Sequence, residues 1–243
     1  MSGNLHIGLS GWTYDDWKDN FYEGVAKKRW LEHYASVFDA VEINATFYGQ
    51  QRESTLKKWK NSVPGGFRFA VKANRYVTHT KRLKVEEDSI VKARNQCDPL
   101  GEKAAAVLWQ FPANFQKDLE RLENFARMLR KRFRRLPHCL EFRHTSWFDD
   151  ETAEMMDNYG LCNVISDASN WPIWDRTTGD TAYVRLHGHT QTYHSCYSDK
   201  QLGEYADKAR QWLDRELAVH VYFDNTDSGH APDDAKRFRE MLA

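Results

Sequence analysis

The sequence predicts an α/β fold: a single-domain (β/α)8 barrel of parallel strands. Three observations predict it. Eight short β-rich runs alternate with longer stretches of helical periodicity, and parallel strands need such helical crossovers. The chain has 243 residues, about 30 per strand–helix unit, which suits a closed barrel better than an open sheet. No linker or low-complexity tract interrupts the order, and Gly8-Leu9-Ser10-Gly11 lacks the glycine-rich dinucleotide pattern. Residues 1–243 are therefore read as one domain.

The first strand is expected at Leu5–Leu9, before the loop Ser10-Gly11-Trp12-Thr13-Tyr14. Trp30, Leu31, Tyr34, Val37 and Phe38 recur at helical spacing, predicting a helix over Lys28–Phe38. The second strand is Ala40–Ile43, and its helix is Ser54–Asn61 with Ser54 as N-cap. Pro64-Gly65-Gly66 breaks the chain before the third strand, Phe67–Val71. A less regular stretch, Lys72–Glu102, contains a helix around Asp88–Gln96. The fourth strand is Ala105–Trp109. The clearest helix follows at Lys117–Phe133, with Leu119, Leu122, Phe125, Ala126 and Leu129 in one stripe. Pro137 precedes the fifth strand, Cys139–Phe142, and the helix Asp150–Tyr159 ends at Gly160, a suitable C-cap. The sixth strand is Leu161–Ile165, followed by an irregular loop, Ser169–Asp180. The seventh is Thr181–Leu186 and the eighth Val219–Phe223, with a helix over Asp199–Leu217 between them. A last helix, Pro232–Leu242, starts with proline in its first turn, where the missing N–H costs little.

Composition narrows the function classes. Hydrophobic residues make up 41%, enough for a core, and no run approaches the roughly 20 apolar residues of a spanning helix. Met1–Gly8 shows no basic segment followed by an apolar run, so no signal peptide and a cytoplasmic location are expected. The formal net charge is zero, so global charge gives no argument for nucleic acid or membrane partners. Cys97, Cys139, Cys162 and Cys196 are scattered and read as free thiols of a reducing compartment. Aromatics reach 14%, with nine Trp, so some are expected to line a surface or pocket.

The ends of the strands carry the chemistry. In a barrel, the loops after each strand form the working face. Strand one ends at Ser10. Strand two gives Glu42 and Asn44, two apart and so on one face. Strands three and four give Lys72 and Gln110. Strand five gives Glu141, Arg143 and His144; strand six Asp167; strand seven Arg185 and His187; strand eight Asp224 and Asn225. Burying such groups without partners costs several kcal/mol each, so their convergence at one mouth points to a site for a polar or anionic ligand. Arginine grips carboxylate or phosphate bidentately. Glu141, Asp167 and Glu42 are the candidate catalytic carboxylates, with His187 as acid–base partner. The same groups would alternatively pair internally, as Glu42–Arg185 or Glu141–Lys72, and stiffen the barrel.

Trp12, Tyr14, Trp17, Phe47, Tyr48 and Trp147 follow strands one, two and five. They read equally as stacking surfaces for a ring-bearing ligand and as loop anchors. Gly229 and His230, just before the last helix, form a candidate anion site or a simple capped turn. His144, His187, His189, Glu141 and Asp167 offer metal-ligand types, but Lys72, Arg143 and Arg185 among them would repel a divalent ion. No cofactor is therefore expected. The basic run Arg130–Arg135 lies on an outer helix and reads as a solvated face, or else as a contact for nucleic-acid phosphates.

These segments together resemble a known family. They are Ile7–Trp12, Val41–Tyr48, Phe67–Lys72, Gln110-Phe111-Pro112, Glu141–Trp147, Tyr183–Gly188 and Gly229–Pro232. The chain is similar to the YecE-like family, also called domain of unknown function 72, from about residue 5 to the end. The resemblance implies a TIM-barrel-like fold and brings no settled activity. The family tends to have Asn-Asn after the last strand, where this chain has Asp224-Asn225. It commonly has two prolines where this chain has Pro112-Ala113.

The leading functional expectation is an enzyme performing acid–base chemistry on a small polar or phosphorylated substrate, nucleotide- or sugar-like, as a hydrolase, lyase or isomerase without a redox cofactor. A nucleic-acid-binding or metal-dependent nuclease-like barrel is the alternative, by analogy of fold alone. A non-catalytic phospholigand-binding module is the third.

Overall fold

The structure, a computed structural model, describes residues 5–243. Met1–Asn4, on which part of the signal-peptide expectation falls, lie outside the described residues. Eight strands form one closed, all-parallel barrel in sequence order: β1 Leu5–Ser10, β2 Ala40–Ile43, β3 Arg68–Lys72, β4 Ala104–Gln110, β5 His138–Glu141, β6 Leu161–Asp167, β7 Thr181–Leu186 and β8 Ala218–Phe223. Closure is made by β1 on β8, in register from Leu5↔Val219 to Leu9↔Phe223. The helices are α1 Trp30–Val37, α2 Ala45–Tyr48, α3 Glu53–Asn61, α4 Glu87–Cys97, α5 Leu119–Arg132, α6 Asp150–Tyr159, α7 Asp199–Asp214 and α8 Ala231–Leu242.

Strand alternation sorts the core into two shells. Outward residues such as Leu9, Val41, Phe69, Val107 and Val184 pack against the helices. Inward residues form a separate cluster: Ala40, Ala70, Ala106, Leu108, Cys139, Cys162, Val164, Tyr183 and Tyr222. Two residues further along the strands, the same inward parity brings Ser10, Glu42, Lys72, Gln110, Glu141, Ser166, Arg185 and Asp224 to the C-terminal end of the lumen. An apolar plug thus closes the bottom of the barrel and a polar layer lies on top of it.

Most element boundaries follow the sequence expectations, and each departure has a local cause. The stretch read as one helix from Lys28 is a 3-10 turn, Lys27–Arg29, leading into α1. Ser54 is not the N-cap of α3: Arg52 stands there, and Glu53 opens the first turn, where a carboxylate suits the helix dipole. Asp118 caps α5 by accepting from the Arg121 N–H, so that helix starts at Leu119. α7 stops at Asp214 because Glu216 takes a left-handed φ of 62°. Gly160 ends α6 in the left-handed conformation that glycine adopts without steric cost. The short helix α2 and a π-helical turn at Tyr76–Thr80 were not anticipated; one turn is too short to show periodicity.

The four cysteines are free, with Cys97, Cys139 and Cys162 buried and Cys196 exposed. No helix among the described residues is long and apolar enough to cross a membrane. In the basic run at the end of α5, Lys131 and Arg132 of its last turn both pair with Glu87 of α4, and Arg135 beyond it approaches Asp98.

Candidate functional site

Arg185 is the hub of the polar layer. Its guanidinium is fully buried and touches three carboxylates. Nε and Nη2 donate to the two oxygens of Glu42 at 3.0 and 2.7 Å, a bidentate pair. Nη1 donates to Glu141 at 2.9 Å, and Nη2 to Asp224 at 2.7 Å and to Ser10 Oγ at 3.1 Å. Glu42 also accepts from Ser10 Oγ and from the Tyr183 hydroxyl. Glu141 accepts further from Arg143, Gln110 and Ser166. A buried carboxylate without this many donors would take up a proton instead of staying charged. Burial does oppose the charge on Glu141, but Arg143 and Arg185 outweigh it and hold the carboxyl well below its usual range. Asp224 is held down to about 2 by Arg185 and His187, again against burial.

His187 completes the layer. Its Nε2 lies 3.0 Å from Arg185 Nη1, so it must accept, which places the ring proton on Nδ1. Nδ1 faces the Asp224 carboxylate at 2.9 Å. Burial first, and then the Arg185 charge, lower the pKa of His187, so the imidazole is neutral at pH 7. Above it, Trp171 packs edge-on at 4.6 Å and covers the Arg143 guanidinium at 3.5 Å. Tyr193, at a φ of 70°, flanks the same ring. Gly188 makes the turn that carries Tyr193 over the mouth. It sits at a φ of 104°, and a Cβ there would come within 2.5 Å of the Gln191 carbonyl oxygen.

Lys72 differs from its neighbours. It is only 8% exposed, yet its ammonium has neither a hydrogen bond nor an ion pair among the described residues and rests 4.5 Å over the Phe47 ring. The three carboxylates nearby are already engaged by Arg185, Arg143, Gln110 and Ser166. Burial, with the Arg185 charge behind it, brings the Lys72 ammonium down to about 8.

With this geometry in hand, comparison with known proteins is decisive for kinship. A family model described as "Protein of unknown function DUF72" matches residues 6–243. The chain belongs to the DUF72 family. It is similar to the UPF0759 protein YunF of Bacillus subtilis strain 168, at 27% identity over 98% of this chain and 94% of that protein. The UPF0759 protein YecE of Escherichia coli K12 matches at 27% over 65% of this chain and 55% of that protein. Among solved structures, a DUF72 family protein from Thermotoga maritima MSB8 superposes with a TM-score of 0.86 at 28% identity, covering 98% of both chains.

The DUF72 barrel brings most of the sequence-predicted residues together and leaves some apart. Ser10, Glu42, Gln110, Glu141, Arg143, Arg185 and His187 form one bonded network. Lys72 stands beside it, and Asn44 joins through Ser10 at 2.7 Å. Asp167 lies elsewhere: it has the opposite parity from Ser166, and its carboxylate meets His189 at 3.1 Å. Asn225 likewise points away and donates to Asp234 of α8 and to the Ser195 carbonyl. The start of α8, where Gly229 and His230 suggested an anion site, carries Asp233 and Asp234, and Asp234 already accepts from Asn225, Tyr197 and Arg237. His144 caps the turn Thr145–Trp147 through Ser146. Trp147 is fully buried with its indole N–H donated to the Phe115 carbonyl, and Trp17 does the same toward Thr226, so both act as loop anchors. Trp12, Tyr14 and Asn44 line a small cavity of about 200 Å³. Tyr48 is 75% exposed on the rim.

Of the candidate metal ligands, His144 and His189 lie away from the network. Among the described residues no group of three or more His, Cys, Asp or Glu is arranged to hold an ion. Ser166 is absent from the strand-end residues named from the sequence, although inward parity with Val164 points to it, whereas Asp224, named there, joins the network through Arg185. Trp171 and Tyr193 come from irregular segments without any periodic signal.

Proposed function

We propose that the chain is an enzyme carrying out acid–base chemistry on a small anionic substrate at the C-terminal mouth of the barrel. The observation that carries this reading is the contrast between three locked carboxylates and one unpaired ammonium. Glu141 and Asp224 are held as anions beside Arg185, and Glu42 is gripped bidentately by the same guanidinium. Lys72 is the group whose proton is exchangeable near neutral pH, and His187 offers a neutral imidazole in the same network of Arg185 and Asp224. Arg143, whose side chain is 15% exposed, is the cation a carboxylate or phosphate of the substrate would meet first. Glu42, Arg185 and His187 are sealed at 0% exposure, so a ligand would work from the Lys72–Arg143 side or displace Trp171 and Tyr193. No observation favours a nucleic-acid partner over a small molecule, because two members of the basic run are already paired with Glu87.

The test is untargeted. Purified full-length protein is incubated with a cell metabolite extract, and the mixture is followed by mass spectrometry beside the Lys72→Met and Arg143→Ala variants. Consumption of an anionic metabolite by the wild type alone supports the reading. The same consumption by Lys72→Met, or no change with any protein, refutes it.

A further inference from the structure

The segment that covers His187 is held by very little. Among the described residues, the hydrogen bonds of residues 169–173 to the rest of the chain run through Ser169 alone. Its Oγ meets Thr192 Oγ1 at 2.8 Å and accepts from the Thr192 N–H at 3.3 Å. Otherwise the segment rests on its one large ring. Trp171 has the Arg143 guanidinium 3.5 Å from its ring centre and the His187 imidazole at 4.6 Å. Trp171 itself is half-buried, whereas His187 and Arg185 are fully sealed. Pro172 follows, with no N–H to give and a ring that keeps Trp171 out of the helical region.

The chain on either side of this segment is pinned. Trp174 stacks on Phe148 at 5.3 Å, and the carbonyls of Trp174 and Arg176 accept from Asn163 Nδ2 at 3.1 and 2.8 Å. Arg176 also pairs with Asp150 of α6. The loop opposite is pinned as well. The Tyr193 N–H donates to the His187 carbonyl, the Tyr193 carbonyl accepts from the Asp227 N–H at 3.1 Å, and the Ser195 carbonyl accepts from Asn225 at 3.0 Å. Tyr193 is therefore the fixed edge of the cover and Trp171 the loose one. Backbone with few hydrogen bonds between pinned ends is where local opening costs least.

We propose that residues 169–173 form a lid, latched by the Ser169–Thr192 pair, and that its opening is the route by which a small molecule reaches His187 and Arg185. The lid swings between the end of β6 and Trp174 and carries Trp171 off the imidazole and the Arg143 guanidinium. Arg143 keeps its two bonds to Glu141, so the cation stays in place while its face is uncovered. A ligand carboxylate or phosphate that meets this cation takes the position of the indole, so binding and opening favour each other. The lid goes beyond the acid–base reading and does not depend on it, since a site that only binds needs the same entrance.

A reversible lock tests this on the full chain. Ser169→Cys and Thr192→Cys are combined with Cys196→Ser, because Cys196 is an exposed native thiol of the same loop. The two hydroxyls lie 2.8 Å apart, so sulfurs in their place are within reach of a disulfide. The protein is oxidised with copper phenanthroline, or reduced and desalted, and then treated with diethyl pyrocarbonate. Labelled histidines are mapped by peptide mass spectrometry. A sealed imidazole reacts only in molecules that have opened, whereas His189 and His194 are about half exposed and serve as references. His187 is expected to label at least about tenfold more slowly in the oxidised protein than in the reduced one, with both references unchanged. Trp171→Ala, without the cysteines, should label at His187 at least about tenfold faster than the wild type. Equal labelling of His187 in the oxidised and reduced proteins, or none in the reduced one, overturns the lid as the route. Sulfurs that fail to join overturn the latch. A Trp171→Ala protein that labels like the wild type overturns the indole as the cover.

Discussion

Replacing Lys72 with methionine should make the protein more stable while disabling it. The substitution keeps the length of the side chain and removes a charge that is buried without a partner. The ammonium titrates at about 8 in the fold, against an ordinary 10.5, because burial outweighs the pull of Glu42, Asp224 and Glu141. At 1.36 kcal/mol per pH unit the charged lysine therefore costs the native state about 3 kcal/mol. The folded value lies below the unfolded one, so the penalty is complete below pH 8, fades as the pH rises toward 10.5 and is gone above it, where the lysine is neutral in both states. Lys72→Met is expected to gain about 3 kcal/mol at pH 7, or roughly 6–12 °C in Tm for a chain of this size. The gain should shrink to that of a plain apolar replacement near pH 10.5. Urea unfolding of both proteins at pH 7, 9 and 10.5 measures it. Equal or lower stability of the variant at pH 7, or a gain independent of pH, would refute the claim that this ammonium is buried unpaired. A residue that costs stability in this way is best explained by what it does, in line with the trade-off between stability and function.

Three further outcomes follow from the same network. Glu141→Gln leaves Arg143 and Arg185 short of a buried counter-charge and should cost about 3–5 kcal/mol in urea unfolding. Asp224, held at about 2 against an ordinary 3.8, contributes about 2 kcal/mol that is present above pH 4 and lost as the pH falls through 2. Asp224→Asn should therefore flatten the acid limb of a stability profile between pH 5 and 2, and an unchanged limb would contradict the pairing with Arg185. Gly188→Ala forces a Cβ onto the Gln191 carbonyl in a left-handed backbone and should cost about 1–3 kcal/mol. Hydrogen exchange would place the loosening in residues 187–198, and protection equal to that of the wild type would show that the turn is not held as described.

Much of this was legible in the sequence, for reasons that can be traced to particular residues. The strands announce themselves because each is a short apolar run bounded by turns. The residues after them are polar because the lumen above the plug must bind or pair. Glu42, Glu141, Arg185 and His187 were found in that way, and the structure unites them. The pairing Glu42–Arg185, the internal salt bridge weighed against a ligand site, is also present. What misled the reading was parity at strand ends. The apolar run of strand six stops at Ile165, but the strand continues through the inward Ser166 to the outward Asp167, a register that the run does not report. At strand eight the sequence offers Asp224 and Asn225 alike, and only the register separates the inward Asp224 from Asn225, which turns to Asp234. For Trp147 and Trp17 the sequence leaves stacking surface and loop anchor open, and packing, which spacing does not report, makes both of them anchors. Trp171 and Tyr193 lie in segments where only the folded chain shows what they cover.

The indole of Trp171 has a guanidinium 3.5 Å from its ring centre and an imidazole packed against it at 4.6 Å. The emission of such a ring depends on the charge beside it, so the protein carries its own optical gauge of the chamber below. Any compound that draws Arg143 aside should change the colour or brightness of that one tryptophan, and the signal should vanish in Trp171→Phe. A dye-free titration of candidate compounds thus becomes available before any reaction has been identified.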